Sequence, residues 1–311
     1  MTDVRFFDLG PTTLTCGIHL PQMRLAYQTY GALNDDKTNL ILYPTSYGAQ
    51  HSDIDWLIGA DRVLDPDRYF IVIPNQLGNG LSSSPSNLPM PFDTGRAPPF
   101  NHLDNIAAQD RLLTERFGVD TIALAYGWSM GGQQALHWAA LYPDRVQRLC
   151  VTCTSARTSP HNKLFLEGVR SALTADAAYH DGWFSETPVR GLRAFSRIYA
   201  SWALSQSFYR RERWREAGHE TREDVLVRGW EGKFFRRDPR DLLSMRDTWE
   251  TSDISTNDVF KGDLAAALGA ITAPAIVMPG STDLYFTETD SRIETAMMPN
   301  AEQRVIESDW G

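Results

Sequence analysis

The residues best suited to chemistry in this 311-residue chain are Gly127-Trp128-Ser129-Met130-Gly131-Gly132. Before them, Thr121-Ile122-Ala123-Leu124-Ala125-Tyr126 predicts a short buried strand. After them, Gln133 to Tyr142 predicts a helix that stops at Pro143. A serine between strand and helix, with small residues on either side, is the pattern of a nucleophile elbow. The sharp turn lifts the hydroxyl out at the carboxyl end of the strand. The helix behind it aims free N–H groups and a positive dipole end at any oxyanion formed there. A bare G-x-S-x-G arises by chance in about one chain in ten of this length, so the flanking strand and helix are what give the signal its strength.

A serine hydroxyl is a poor nucleophile until a base takes its proton, and the base is normally a histidine oriented by a carboxylate. On a strand-turn-helix elbow of this kind the chain order is Ser, acid, His. Asp283, in Gly280-Ser281-Thr282-Asp283-Leu284-Tyr285-Phe286, follows a predicted strand, where the acid is wanted. Its rivals Glu288 and Asp290 already lie inside the next predicted helix, and a plain turn aspartate is the alternative for Asp283. The oxyanion needs two backbone N–H groups. One is that of Met130. The other comes from the turn Pro44-Thr45-Ser46-Tyr47-Gly48, with Thr45 the first choice. The seven histidines (His19, His51, His102, His137, His161, His180 and His219) all precede Asp283 and read as surface or packing residues. The stretch where the base belongs, Ser308-Asp309-Trp310, runs into Gly311.

The elements that must position these residues follow from the apolar pattern. Met23 to Tyr30 alternates and ends at Gly31; Asn39 to Tyr43 and Tyr69 to Ile73 are continuous apolar runs, as expected for central parallel strands. Leu103 to Phe117 has helical spacing, Arg148 to Cys153 is strand-like, and Ala273 to Met278, a helix from Thr287 to Met298 and Gln303 to Glu307 complete the series. Such alternation predicts a mostly parallel sheet covered on both faces. From about Thr158 to Ala267 no strand signal appears. This stretch carries Trp183, Trp202, Trp214, Trp230 and Trp249 with basic pairs at Arg210-Arg211 and Arg236-Arg237, and it predicts an all-helical cap. Most of its tryptophans read as packing between cap and sheet, most of its charges as solvated helix faces. The expected division is a first core part at 1–157, a cap at 158–267 and a second core part at 268–311.

Composition narrows the function classes. Hydrophobic residues make up 42% and charged residues 22% of the chain, as in ordinary globular proteins. A net charge of −9 argues against nucleic acid or an anionic membrane as partner, and no apolar run is long enough to cross a bilayer. The start, Met1-Thr2-Asp3-Val4-Arg5, lacks the pattern of a signal peptide; the expected location is the cytoplasm. Cys16, Cys150 and Cys153 cannot all pair. Cys150-Val151-Thr152-Cys153 has C-x-x-C spacing, but in a strand-like run positions three apart face opposite sides. Packing cysteines are expected rather than a redox or zinc site, and neither a metal nor a bound cofactor is called for.

Taken in order, these residues resemble the homoserine O-acetyltransferase-like branch of the α/β-hydrolase superfamily. The resemblance runs through Leu25-Ala26-Tyr27-Gln28-Thr29-Tyr30-Gly31-Ala32-Leu33-Asn34, Asn75-Gln76-Leu77-Gly78-Asn79-Gly80 and Ala108 to Leu113. Ser129 to Leu136 and Tyr142 to Val146 are its nearest stretches, followed by Thr154 to Arg157. It implies an α/β-hydrolase fold, a mostly parallel central sheet flanked by helices with an inserted all-helical cap. It also implies a serine that takes an acyl group from a small-molecule donor, acyl-CoA as co-substrate, and passes it to a hydroxyl acceptor; relatives hydrolyse esters with water instead. By this resemblance Ser129 is the nucleophile, Asp283 the acid, and Thr45 and Met130 the oxyanion donors. Arg197, in Ser196-Arg197-Ile198, falls where the family keeps an arginine for the acceptor's carboxylate; an ordinary salt-bridging arginine is the other reading.

Three departures bear on function. Leu204 stands where the homoserine enzymes have a tyrosine, seven residues after that arginine. The family's histidine would be the residue immediately after Gly311, followed by a companion aspartate. The family's final helix is absent as well. The expectations are a C-terminally shortened form or a protein without its base. Acyl transfer onto a hydroxyl acceptor is the leading function, carboxylic-ester hydrolysis the alternative and a non-catalytic binding protein the third. A homodimer through the cap is compatible with each.

Overall fold

The computed structural model describes residues 4–93 and 97–311. Met1, Thr2 and Asp3, part of the expected leaderless start, lie outside the described residues. The strands are β1 (Arg5–Thr13), β2 (His19–Tyr30), β3 (Leu40–Leu42), β4 (Phe70–Pro74), β5 (Leu124–Trp128), β6 (Leu149–Thr152), β7 (Tyr179–His180), β8 (Trp183–Phe184), β9 (Ala275–Met278) and β10 (Ala301–Gln303). Eight of them form one sheet in the order β1-β2-β4-β3-β5-β6-β9-β10. The pairs β1–β2 and β2–β4 are antiparallel, and from β4 onward every pairing is parallel.

Leu40 to Leu42 and Phe70 to Ile73 are buried throughout, because parallel strands are covered on both faces. β1 escaped the sequence reading: its pairing shifts register at Gly10-Pro11, and such an irregularity erases the period-2 pattern. β5 starts at Leu124 and runs through Trp128. Ile122 makes only an isolated bridge to Val146, so Gly127 belongs to the strand and the turn falls on Ser129. β10 ends at Gln303, and Ile306, expected within it, bridges Gly280 instead.

The core between sheet and helices contains a chain of amides. Trp138, fully buried, donates its indole N–H to Gln109 Oε1 at 2.8 Å. Gln109 Nε2 donates to Gln134 Oε1 at 2.6 Å, and Gln134 Nε2 donates to the Thr45 carbonyl at 3.0 Å. The helices His102–Arg111 and Met130–Leu141 are thereby tied to the turn after β3, since buried amides left unpaired would cost about 1–3 kcal/mol each.

The insertion after β6 is helical at Pro160–Thr174, Val189–Ala203, Gln206–Arg210 and Pro239–Glu250, with a π-helical stretch at Val225–Glu231. It is not all-helical. β7 and β8 form a hairpin around Asp181 (φ 42°) and Gly182 (φ 100°), an Asp-Gly turn of the type that needs positive φ at both central residues. The neck of the insertion lies at Thr158, whose N–H donates to Ser252 O at 3.0 Å, and at the bridge between Arg157 and Asp253. The helix Leu264–Gly269 straddles the boundary expected between cap and core at 267, and it buries both Ala267 and Leu268 in the core with the sheet. Among the described residues no helix is long and apolar enough to cross a membrane.

The helix Glu288–Thr295 delivers Glu294 to the loop behind β6, where its carboxylate accepts from Ala156 N at 2.8 Å and Arg157 N at 3.3 Å. Burial pushes this carboxyl from 4.5 up to about 7. The folded chain therefore keeps a proton that the unfolded chain releases, and this contribution to stability falls as pH rises from about 4.5 to about 7. Urea midpoints of Glu294→Gln should vary less than wild type between about pH 5 and about pH 8. An unchanged pH slope would show that this carboxyl does not titrate as its burial dictates.

Candidate active site

Ser129 sits at φ 54°, ψ −127°, a backbone region that costs a side-chain-bearing residue about 1–3 kcal/mol. Its N–H donates to Thr152 O at 3.0 Å. Its carbonyl accepts from Gln133 N at 3.1 Å and from the Thr154 hydroxyl at 2.7 Å. The flanking glycines are required by contact. A Cβ on Gly127 would stand 2.3 Å from Gly131 O, one on Gly131 2.5 Å from Pro44 O, and one on Gly132 2.7 Å from the Thr154 Cβ. Met130 opens the helix Met130–Leu141, which puts its N–H among the unpaired donors of a helix N-terminus.

The turn after β3 lies against the elbow. The Ser46 hydroxyl donates to the Trp128 carbonyl, and Gln76 Nε2 donates to Ser46 O at 3.0 Å. Thr45 is not placed as the sequence reading had it. Its N–H donates to Pro74 O at 3.2 Å, extending the sheet, and its side chain is buried beneath Gln76, whose N–H it accepts at 3.0 Å. Ser46 and Tyr47, the next two residues, are the part of this turn that lines a cavity with Ser129.

That cavity has a volume of about 440 Å³ and joins Ser129 to Asp283. Asp283 accepts from Tyr285 N at 2.8 Å and Phe286 N at 3.0 Å. Burial pushes its carboxyl above the usual range, against these two bonds and a third from the Cys153 thiol. Cys153, read as a packing residue, lines the cavity at φ 45°. Burial and then the Asp283 charge push its thiol up to about 12, so it stays neutral. Glu288 and Asp290 do not line the cavity; Asp290 bonds the Thr287 hydroxyl at 2.9 Å.

Aromatic side chains form most of the remaining wall. Tyr199 stacks on Tyr47 at 5.6 Å and meets Trp230 at 5.4 Å. The helix Val189–Ala203 ends before Leu204, which is extended and faces the cavity. The C-terminal residues close one side. Asp309 accepts from Ser207 at 2.7 Å, Arg211 at 2.7 Å and Arg213 at 2.8 Å, and Trp310 packs on Phe208 at 5.2 Å.

Arg197 is not brought to the site. Its guanidinium bonds Glu231 at 3.0 Å and Glu223 at 2.6 Å, and it is absent from the cavity wall. Among the described residues no histidine lines the cavity either. His51 is buried against Asn75 at 3.2 Å. The rings of His102 and His137 lie 5.1 Å apart in the core, pushed by burial to about 3 and about 4. Sequence reasoning missed Tyr47, Cys153, Tyr199, Trp230, Lys233 and Tyr285. Tyr285, two residues after the acid, and Tyr47, within the turn read as the oxyanion segment, had usable signals.

Residues 40–311 match the alpha/beta hydrolase fold family. The chain belongs to that family. An ethyl acetate hydrolase of Pseudomonas veronii is 39% identical over 97% of this α/β hydrolase and 86% of that protein. An acetylester hydrolase from Corynebacterium glutamicum superposes with a TM-score of 0.96 at 37% identity, covering 99% of this chain and 89% of that one. A homoserine O-acetyltransferase of Bradyrhizobium diazoefficiens is 33% identical over 97% of this chain and 83% of that protein. That homoserine enzyme is thus a relative at lower identity than the two esterases.

The contact at Gly131 is with backbone and cannot yield. Gly131→Ala should lose about 2 kcal/mol or more of stability, the range for strained or overpacked sites, and should lose covalent labelling of Ser129 by an activated ester. A variant that labels and melts like wild type would show that the elbow does not need this glycine.

Proposed function

We propose that this α/β hydrolase is a carboxylic-ester hydrolase working through an acyl-Ser129 intermediate. Ser129 Oγ attacks the ester carbonyl, the alcohol leaves with a proton, and water then attacks the acyl-enzyme to release the acid. The carbonyl oxygen becomes an oxyanion next to the start of the helix Met130–Leu141. There the Met130 N–H supplies one donor and Ser46 or Tyr47 the second, in place of Thr45. Asp283, fixed by two backbone bonds, is the carboxylate placed to orient a base beside Ser129, although among the described residues no histidine lines the cavity to fill that role. Cys153, with its thiol at about 12, is too weakly acidic to supply a thiolate in Ser129's place.

The observation that carries hydrolysis over transfer is the position of Arg197. It is committed to Glu223 and Glu231 and stands off the cavity, so the carboxylate of a homoserine-like acceptor finds no arginine there. Leu204 adds an apolar contact where that family has a tyrosine. The two esterase relatives support the same choice. Water as acceptor also leaves acyl-CoA without a part in the reaction.

Intact mass after exposure to p-nitrophenyl acetate tests the covalent step: one acetyl group on the wild-type chain and none on Ser129→Ala. A label that survives the substitution would place the nucleophile elsewhere. Added homoserine separates hydrolysis from transfer. Acetate should remain the product, and O-acetylhomoserine formed in its place would make the protein a transferase.

A further inference from the structure

Lys233 lines the same cavity as Ser129 and Asp283, on the wall shared with Asp53, Ile54 and Trp56. Its ammonium lies over the rings of Trp230 at 5.4 Å and Phe234 at 5.8 Å. Among the described residues, the carboxylate that faces it is Asp53, which is already committed. Asp53 binds Arg237, stands 3.7 Å from Arg236 and accepts the Gln50 N–H at 2.8 Å. Three cations therefore share one carboxylate at this end of the cavity, and Lys233 is the one without an ion pair. Burial pulls its pKa down, the two arginines pull the same way, and Asp53 opposes them. The apolar wall strengthens any charge that pairs with it, because the local dielectric is low.

We propose that Lys233 is an anion subsite, binding a carboxylate carried on the acyl part of the ester. What the anion is attached to rests on the ester-hydrolase reading; the binding of a small carboxylate does not. A lysine suits this as a point charge with three donors, without the planar geometry that an arginine imposes. The site is separate from Arg197, whose guanidinium is taken up by Glu223 and Glu231.

Binding is read with Ser129→Ala, so that no ester chemistry intervenes, from the fluorescence of Trp56, Trp128, Trp230 and Trp310, all on the cavity wall. Butyrate should bind about tenfold tighter than the neutral, similarly shaped butyramide, the range for a hydrogen bond to a charged group. Adding Lys233→Met should erase that preference, and adding Lys233→Arg should keep it. Equal binding of the two probes, or a preference that persists with methionine, overturns the proposal. The arginine variant and the unsubstituted lysine carry the test even if the methionine variant does not fold. Labelling of Ser129 by p-nitrophenyl acetate is measured separately on the chain with Ser129 intact. Carboxylate preference without labelling would remove the ester reading and leave the subsite standing.

Discussion

Ser129 is held in a backbone conformation, φ 54° and ψ −127°, that a side chain avoids, and the surrounding residues have to outweigh the cost. They do so from three directions. β6 accepts the Ser129 N–H through Thr152, the helix behind returns a bond through Gln133, and Thr154 reaches across to the carbonyl. Glycines let the strand, the helix and the Pro44 turn come within contact of one another. The amide chain from Trp138 through Gln109 and Gln134 then fixes that turn from beneath.

Much of this was legible in the sequence, because each strong signal was local. The buried runs at Leu40 and Phe70, the elbow and the acid loop at Asp283 are short segments whose residue types determine their own conformation. What was illegible depended on pairing. Thr45 looked available as a donor, yet whether its N–H is free depends on Pro74, a partner that only the sheet brings near. Arg197 fell at the family's position, but Glu223 and Glu231, 26 and 34 residues further on, decide what it binds. β1 was hidden by its own Gly-Pro irregularity. The Asp181-Gly182 hairpin was a readable signal that the helical character of its surroundings obscured.

Charge is distributed unevenly around the cavity. The core side presents Asp283, whose Oδ1 accepts two backbone N–H groups, and Asp53, bound to Arg237. The insertion side presents Lys233 among aromatic rings. The C-terminal residues join the two, with Asp309 gripped by Ser207, Arg211 and Arg213 and Ser308 O bonded to the Thr282 hydroxyl at 2.9 Å. One side of the cavity is thus assembled from segments distant in sequence, held both by the ion pairs of Asp309 and by the packing of Trp310 on Phe208.

The glycines of the elbow admit no side chain, while the groups that would face a reacting molecule come from elsewhere: Tyr199, Leu204, Trp230 and Lys233 from the insertion, Tyr285 and Phe286 from the acid loop. Heritable variation meets these two sets differently. A replacement at Gly127 or Gly131 removes the reactive geometry at once and leaves nothing for selection to improve. A replacement at Leu204 or Lys233 alters the cavity wall and lies outside the contacts that hold the serine. The cavity wall can therefore vary without disturbing the elbow, and the relatedness of this chain to both esterases and a homoserine O-acetyltransferase fits a plan divided in that way.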